Sequence, residues 1–126
     1  MKTVNKTILL GNATRDAELA KLPSGREACT FGLATSRVWK DANEQRQSVA
    51  EFHNVVAWGE LATFCAEYIR KGKPLYVEGY LHTRSWEAEG IPKQYRTEVV
   101  VEELVLLGPK ADAEVPKADP QDVPAS

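Results

Sequence analysis

The 126 residues are 43% hydrophobic and 27% charged, a balance that suits one globular domain with an apolar core and excludes a wholly disordered chain. No apolar run approaches the roughly 18 residues that span a membrane, and Met1-Lys2-Thr3 does not open a secretory leader, so a soluble cytoplasmic protein without a membrane partner is expected. The formal charge of −2 lies in 109–126, where Lys110 and Lys117 face Asp112, Glu114, Asp119 and Asp122, whereas 1–108 is neutral with 14 Lys and Arg against 14 Asp and Glu.

Val4 to Leu10 is β-branched and aliphatic and predicts a first strand that stops at Gly11-Asn12. A loop carrying Arg15 and Asp16 then runs to a turn at Leu22-Pro23-Ser24-Gly25. A second strand is expected from about Ala28 to Trp39, a hairpin tip over Asp41–Gln45, and a third strand from about Ser48 to Trp58. Over 60–71 the period changes: Leu61, Phe64, Cys65 and Tyr68 fall at helical spacing, with Arg70 and Lys71 in the last turn and Gly72 as a left-handed stop. Pro74 opens a fourth strand in which Leu75, Val77, Gly79 and Leu81 alternate as core with an outer row of Tyr76, Glu78, Tyr80, His82, Arg84 and Trp86. A tip around Glu89–Pro92 leads to a fifth strand from about Gln94 to Leu107.

This order predicts an all-β fold, a five-stranded OB-fold barrel with one α-helix between strands 3 and 4. A five-stranded sheet with a helix laid on it satisfies the same periodicity. From Pro109 onward, prolines interrupt Ala, Asp, Glu and Lys without an apolar period. That composition predicts a domain over 1–108 and a disordered Pro/Asp-rich C-terminal tail over 109–126.

The chemistry on offer is recognition rather than reaction. Cys29 and Cys65 sit in apolar patterns as buried free thiols, with no metal-ligand spacing. Neither His53 nor His82 stands near an orienting motif, and there is no phosphate-binding glycine loop or nucleophile elbow. No catalytic residue, metal or cofactor is therefore expected.

Four large rings, Trp39, Phe52, Trp58 and Trp86, instead fall at or near strand ends beside polar and cationic residues, where full burial would strand the charges. Phe52, Asn54, Val56 and Trp58 share one strand face, and Trp86 ends the row Tyr80-His82-Arg84-Trp86. Arg37 and Lys40 flank Trp39, Arg84 stands near Trp86, and Arg96 lies on the last strand. Arg70 and Lys71 are further basic candidates, although the helix dipole alone explains them. Rings interleaved with cations match the needs of a single-stranded nucleic acid, whose bases stack and whose phosphates seek positive charge. Alternation puts Trp39 on the face of Phe31 and Leu33, so either a bulge or strong coiling turns that strand end, or the ring is more buried than its neighbours suggest.

Val4-Asn5-Lys6, Leu10-Gly11-Asn12, Leu33-Ala34-Thr35-Ser36, the run Glu51–Gly59, Tyr68–Gly72, Val77–Leu81, Thr83–Trp86 and Tyr95–Val100 together resemble the bacterial single-stranded DNA-binding proteins over roughly 3–107. The resemblance implies an OB-fold homotetramer that binds and protects single-stranded DNA in replication, repair and recombination with little sequence preference. It places Trp39, Phe52, Trp58 and Trp86 at base-stacking positions, with Phe and Trp exchanged between 52 and 58 relative to the commonest pattern. Arg37, Lys40, Asn54, Lys71, Arg84 and Arg96 complete the expected nucleic-acid set.

The resemblance also implies that His53 lies at a subunit contact and that Tyr76, Glu78 and Tyr80 lie where dimers pack on one another. Glu60, Asn54, His82 and Ser85 replace basic residues frequent in relatives, which implies binding less sensitive to salt. The tail ends in Val123-Pro124-Ala125-Ser126, without the acidic run and aromatic tip that recruit replication and repair proteins, so that recruitment is not carried over. The thinned cations and the row Tyr76-Glu78-Tyr80 keep a second reading open, an OB-like interaction or assembly module with little nucleic-acid binding.

Overall fold

Alternating aliphatic and polar residues build six strands, and one stretch of helical spacing interrupts them. They are β1 (Thr7–Ala13), β2 (Glu18–Lys21), β3 (Glu27–Lys40), β4 (Arg46–Trp58), α1 (Glu60–Tyr68), β5 (Pro74–Ala88) and β6 (Ile91–Leu106). The structure is a computed structural model that describes residues 1–108; the tail expected over 109–126 lies outside the described residues.

The sheet order is β1-β5-β6-β4-β3-β2, and β1 also pairs with β3, which closes β1, β3, β4, β5 and β6 into a five-stranded barrel. β4 and β6 run parallel through Val55–Val99 and Val56–Val100, while the other neighbours are antiparallel. The expected barrel and its inserted helix are therefore present. The added strand, β2, is four exposed residues paired to β3 where the sequence reads as loop.

Closure depends on β1, which does not stop at Gly11-Asn12 as expected. It pairs with β5 from Thr7–Gly79 to Asn12–Pro74, then turns to β3 through Asn12–Ala34 and Ala13–Leu33. Gly11 stands at that corner because a Cβ there would lie 2.1 Å from the Ala34 carbonyl oxygen. At the other end Asn5 prolongs the ladder: its side chain donates to the Leu81 carbonyl at 2.8 Å and accepts the Leu81 N–H at 2.9 Å.

Inward residues of every barrel strand form one core, among them Phe31, Leu33, Val55, Ala57, Leu75, Val77, Val99, Val101 and Leu104. Leu61, Ala62, Phe64 and Cys65 of α1 pack on it, together with Ile69. The helix ends at Tyr68, so Arg70 and Lys71 lie beyond the last turn rather than within it. Arg70 nonetheless serves that end, donating from Nη1 to the Ala66 and Ile69 carbonyls at 2.8 and 3.0 Å. Burial, with a smaller push from the Glu18 carboxylate, raises the Cys29 thiol to about 11; burial and the neighbouring Cys29 raise Cys65 further.

Two hairpins outgrow the barrel. β3 and β4 stay in continuous register from Ala28–Trp58 to Lys40–Arg46, yet burial ceases after Leu33, and from Ser36 onward β3 is exposed. Asp41 organises the tip by accepting the N–H groups of Asn43 and Gln45, both at 2.9 Å. β5 and β6 likewise extend to Ala88–Ile91, past a register shift at Glu78/Gly79. Leu81, expected in the core, is 48% exposed because it lies where this second arm leaves the barrel.

Candidate nucleic-acid interface

Register assigns each candidate side chain to a face. On β4, Phe52, Asn54, Val56 and Trp58 lie opposite Ala34, Gly32, Thr30 and Ala28 of β3. Val56 lies beside Val100 of β6, which in turn faces Tyr80 of β5. Along β5 and β6 the same face continues through His82–Glu98, Arg84–Arg96 and Trp86–Gln94. Phe52, Asn54, Trp58, Tyr80, Arg84, Trp86 and Arg96 therefore share one outer surface that crosses three adjacent strands. A contact of 3.5 Å from Arg96 Nη2 to Asn54 Oδ1 ties its middle together.

The rings on this surface are not equivalent. Phe52 is 71% exposed and Trp86 41%, the latter with the Arg84 guanidinium 5.2 Å from its ring centre. Trp58 departs from the expected open ring. It is half-buried against Ala28, Val56 and Val100, and the Arg26 guanidinium stands over it at 4.5 Å. Tyr80 packs against the same small cluster, and its hydroxyl pKa is raised by burial and then by Glu102.

Trp39 follows neither the bulge nor the burial expected of it. No bulge interrupts the β3–β4 ladder, so the ring keeps the parity of Phe31 and Leu33; it is 42% exposed because the arm has already left the barrel. Arg37 lies on that same side, 5.4 Å from the Trp39 ring centre, while Lys40 pairs with Arg46 on the opposite parity. Trp39 and Arg37 thus occupy the reverse of the ribbon that carries Phe52.

Charge is partly consumed within the surface. Glu98, only 6% exposed, accepts a 2.8 Å bond from Arg84 Nε, so part of this arginine's charge is already countered before any ligand arrives. Lys71 is exposed, and its backbone N–H donates to Asp16 at 2.8 Å, at the β1–β2 connection rather than on β4, β5 or β6.

The residues expected at subunit contacts fall into three places, Tyr80 lying on the shared face beside Val100. His53 Nε2 lies 2.9 Å from Thr35 Oγ1, at the end of the core. Tyr76 donates to Glu78, which also pairs with Lys6 at 3.6 Å, on the outer side of β5 beside Ile8 and Leu10 of β1. That bond is the main cause lowering the Glu78 pKa and raising that of Tyr76.

Sequence reasoning passed over Arg26, Glu98, and the pair Lys93–Tyr95, whose ammonium stands 5.7 Å from a largely exposed ring. The pair Lys93–Tyr95 repeats the ring-and-cation pattern and could have been found that way. Among the described residues no cluster of His, Cys, Asp and Glu could hold a metal ion, and no helix is long and apolar enough to cross a membrane.

Known proteins share this fold. A solved complex of the Plasmodium falciparum single-stranded DNA-binding protein with single-stranded DNA superposes with a TM-score of 0.77 at 29% identity, covering 86% of this chain and 98% of the other. A deletion variant of the single-stranded DNA-binding protein from Thermus aquaticus gives 0.75 at 27% identity over 85% of this chain and 52% of its own, so the chain spans about half of that protein. The single-stranded DNA-binding protein 1 of Chlorobaculum tepidum is 41% identical over 108 residues, 85% of this chain and 67% of the relative. Residues 4–107 match the single-strand binding protein family, so with its closed five-stranded barrel and ring-bearing arms the chain belongs to that family.

Proposed function

We propose that the protein binds single-stranded DNA across the shared face of β4, β6 and β5 and around the β3–β4 arm, without catalysing a reaction. The observation that carries this reading is the set of exposed rings Phe52, Trp86 and Trp39, the last two each with a guanidinium beside them. Bases stack on these rings whatever their identity, because every base has a π face, so binding has little sequence preference. Arg37, Lys40, Arg84 and Arg96 neutralise phosphates, with Arg84 limited by Glu98. Asn54 supports the centre of the surface, Trp58 stands at its end, and Tyr95 with Lys93 extends the same chemistry to the β5–β6 arm. The setting is the protection of strands exposed in replication, repair and recombination.

Assembly as a homotetramer belongs to the same proposal. Its support is an apolar outer patch in which Ile8, Leu10 and Val105 lie exposed around Tyr76. Four copies joined through such patches hold several platforms for one strand, and linked modest sites bind far more tightly than single ones. Titration of the intrinsic tryptophan fluorescence with poly-dT at two salt concentrations tests the function. Strong quenching that weakens with salt is expected; no quenching at low salt refutes it and favours an assembly module. Sedimentation velocity tests the tetramer, and a monomer at micromolar concentration counts against it.

A further inference from the structure

Gly32 of β3 faces outward and is nonetheless buried. It alternates with the core residues Phe31 and Leu33 and lies opposite Asn54, so its missing side chain would point onto the proposed DNA-binding face. No positive φ requires a glycine there. Space requires it instead: a Cβ would lie 2.2 Å from Thr14 Oγ1 and 2.7 Å from Arg15 Nη1. The β1–β2 connection folds across β3 at this notch, and the Thr14 N–H holds it there by donating to the Gly32 carbonyl at 2.9 Å. Arg15 is thereby laid on the face that carries Phe52 and Asn54, a placement that strand parity does not reveal because Arg15 belongs to no strand.

Arg15 is exposed, and the ion pairs among the described residues, Lys6–Glu78 and Arg84–Glu98, do not include it. Its neighbour Asp16 accepts the Lys71 N–H. Glu18, opposite Thr30 on the same face, belongs to neither ion pair. A guanidinium offers only donors, and one held on a surface without a carboxylate partner suits a phosphate. We propose that Arg15 is a phosphate contact of the DNA-binding face and carries that face from β4, β6 and β5 onto β3. Arg15, Arg96 and Arg84 then follow one another across four adjacent strands, with Asn54 between the first two. Of the three, Arg84 is countered by Glu98, so Arg15 brings more of its charge to the ligand. The contact rests on the single-stranded DNA reading above and adds a cation from outside the strands.

The test is the anisotropy of a labelled oligo-dT of about ten nucleotides, short enough to occupy one such face, titrated over a series of salt concentrations. Wild type is compared with Arg15→Gln, Arg15→Lys and a control for net charge, Lys21→Gln, on exposed β2 opposite Glu27 and off the shared parity. One lost phosphate contact on a single strand makes the slope of log K against log salt shallower by about 0.7. Arg15→Gln is expected to show that change, whereas Arg15→Lys and Lys21→Gln are expected to keep the wild-type slope. A wild-type slope in Arg15→Gln overturns the contact. An equal change in Lys21→Gln also overturns it, since overall charge alone is then felt. So does an Arg15→Lys slope as shallow as that of Arg15→Gln, because the arginine then acts only as a prop for the connection. Wild-type protein that does not bind at all refutes the broader reading instead, so the two failures are told apart.

Discussion

Replacing Phe52 with alanine separates stacking from folding better than any other change on this surface. The ring is 71% exposed, so only about a third of the roughly 1.5–3 kcal/mol of a fully buried phenyl is at stake, or about 0.5–1 kcal/mol. For a domain of this size that lowers the melting temperature by about 2–8 °C. Loss of a stacked base in proteins of this class costs about 1–3 kcal/mol, which weakens binding about 5- to 150-fold. Calorimetric melting and oligo-dT titration of Phe52→Ala at one salt concentration measure both quantities on one sample. Wild-type affinity in a folded variant refutes the stacking role. A fall in melting temperature well beyond 10 °C shows that the ring is structural and refutes the exposure argument.

Glu98→Gln releases Arg84 from its ion pair, so the salt dependence of oligo-dT binding should steepen by up to about 0.7 in slope, and an unchanged slope shows that Glu98 does not limit Arg84. Gly79→Ala sets a Cβ 1.9 Å from the Val100 carbonyl oxygen, backbone against backbone at the register shift of the β5–β6 ladder. That overpacking should destabilise by about 3 kcal/mol or more and lower the melting temperature by about 12 °C or more, and wild-type thermal stability rules the clash out. Cys29 and Cys65 are buried, with thiol pKa values raised well above neutrality, so native protein at pH 8 should not react with a thiol-selective disulfide reagent, whereas denatured protein should yield both thiols. Prompt reaction of the native form contradicts that burial.

Most of the barrel was legible because its signals are local. The alternation in Leu75–Gly79, the helical spacing of Leu61 to Cys65 and the turn residues Asp41–Gln45 each specify a neighbourhood without reference to the rest. What escaped depends on partners distant in the chain. β2 has no alternation of burial and exists as a strand because β3 offers it an edge. Gly11 reads as a strand stop, yet its small size lets β1 cross from β5 to β3.

Parity was read correctly for Trp39 and Leu81, but it does not say where a strand leaves the barrel, and there an inward residue becomes an outward one. The rings at 39, 52 and 86 were legible as a class, from their charged neighbours. Arg26 was not, since 32 residues separate it from the Trp58 ring that it covers, and nothing local marks the meeting.

The double role of β1 has a consequence for synthesis. Of the barrel strands this one leaves the ribosome earliest, yet its main partner, the segment from Pro74 to Gly79, follows more than sixty residues later. The two hairpins can zip as soon as their own turns emerge, whereas the amino-terminal strand must wait with both backbone edges unmet. Closure is then a late event in the life of the nascent chain. In that interval a stray β-edge from another polypeptide is the main competitor for β1.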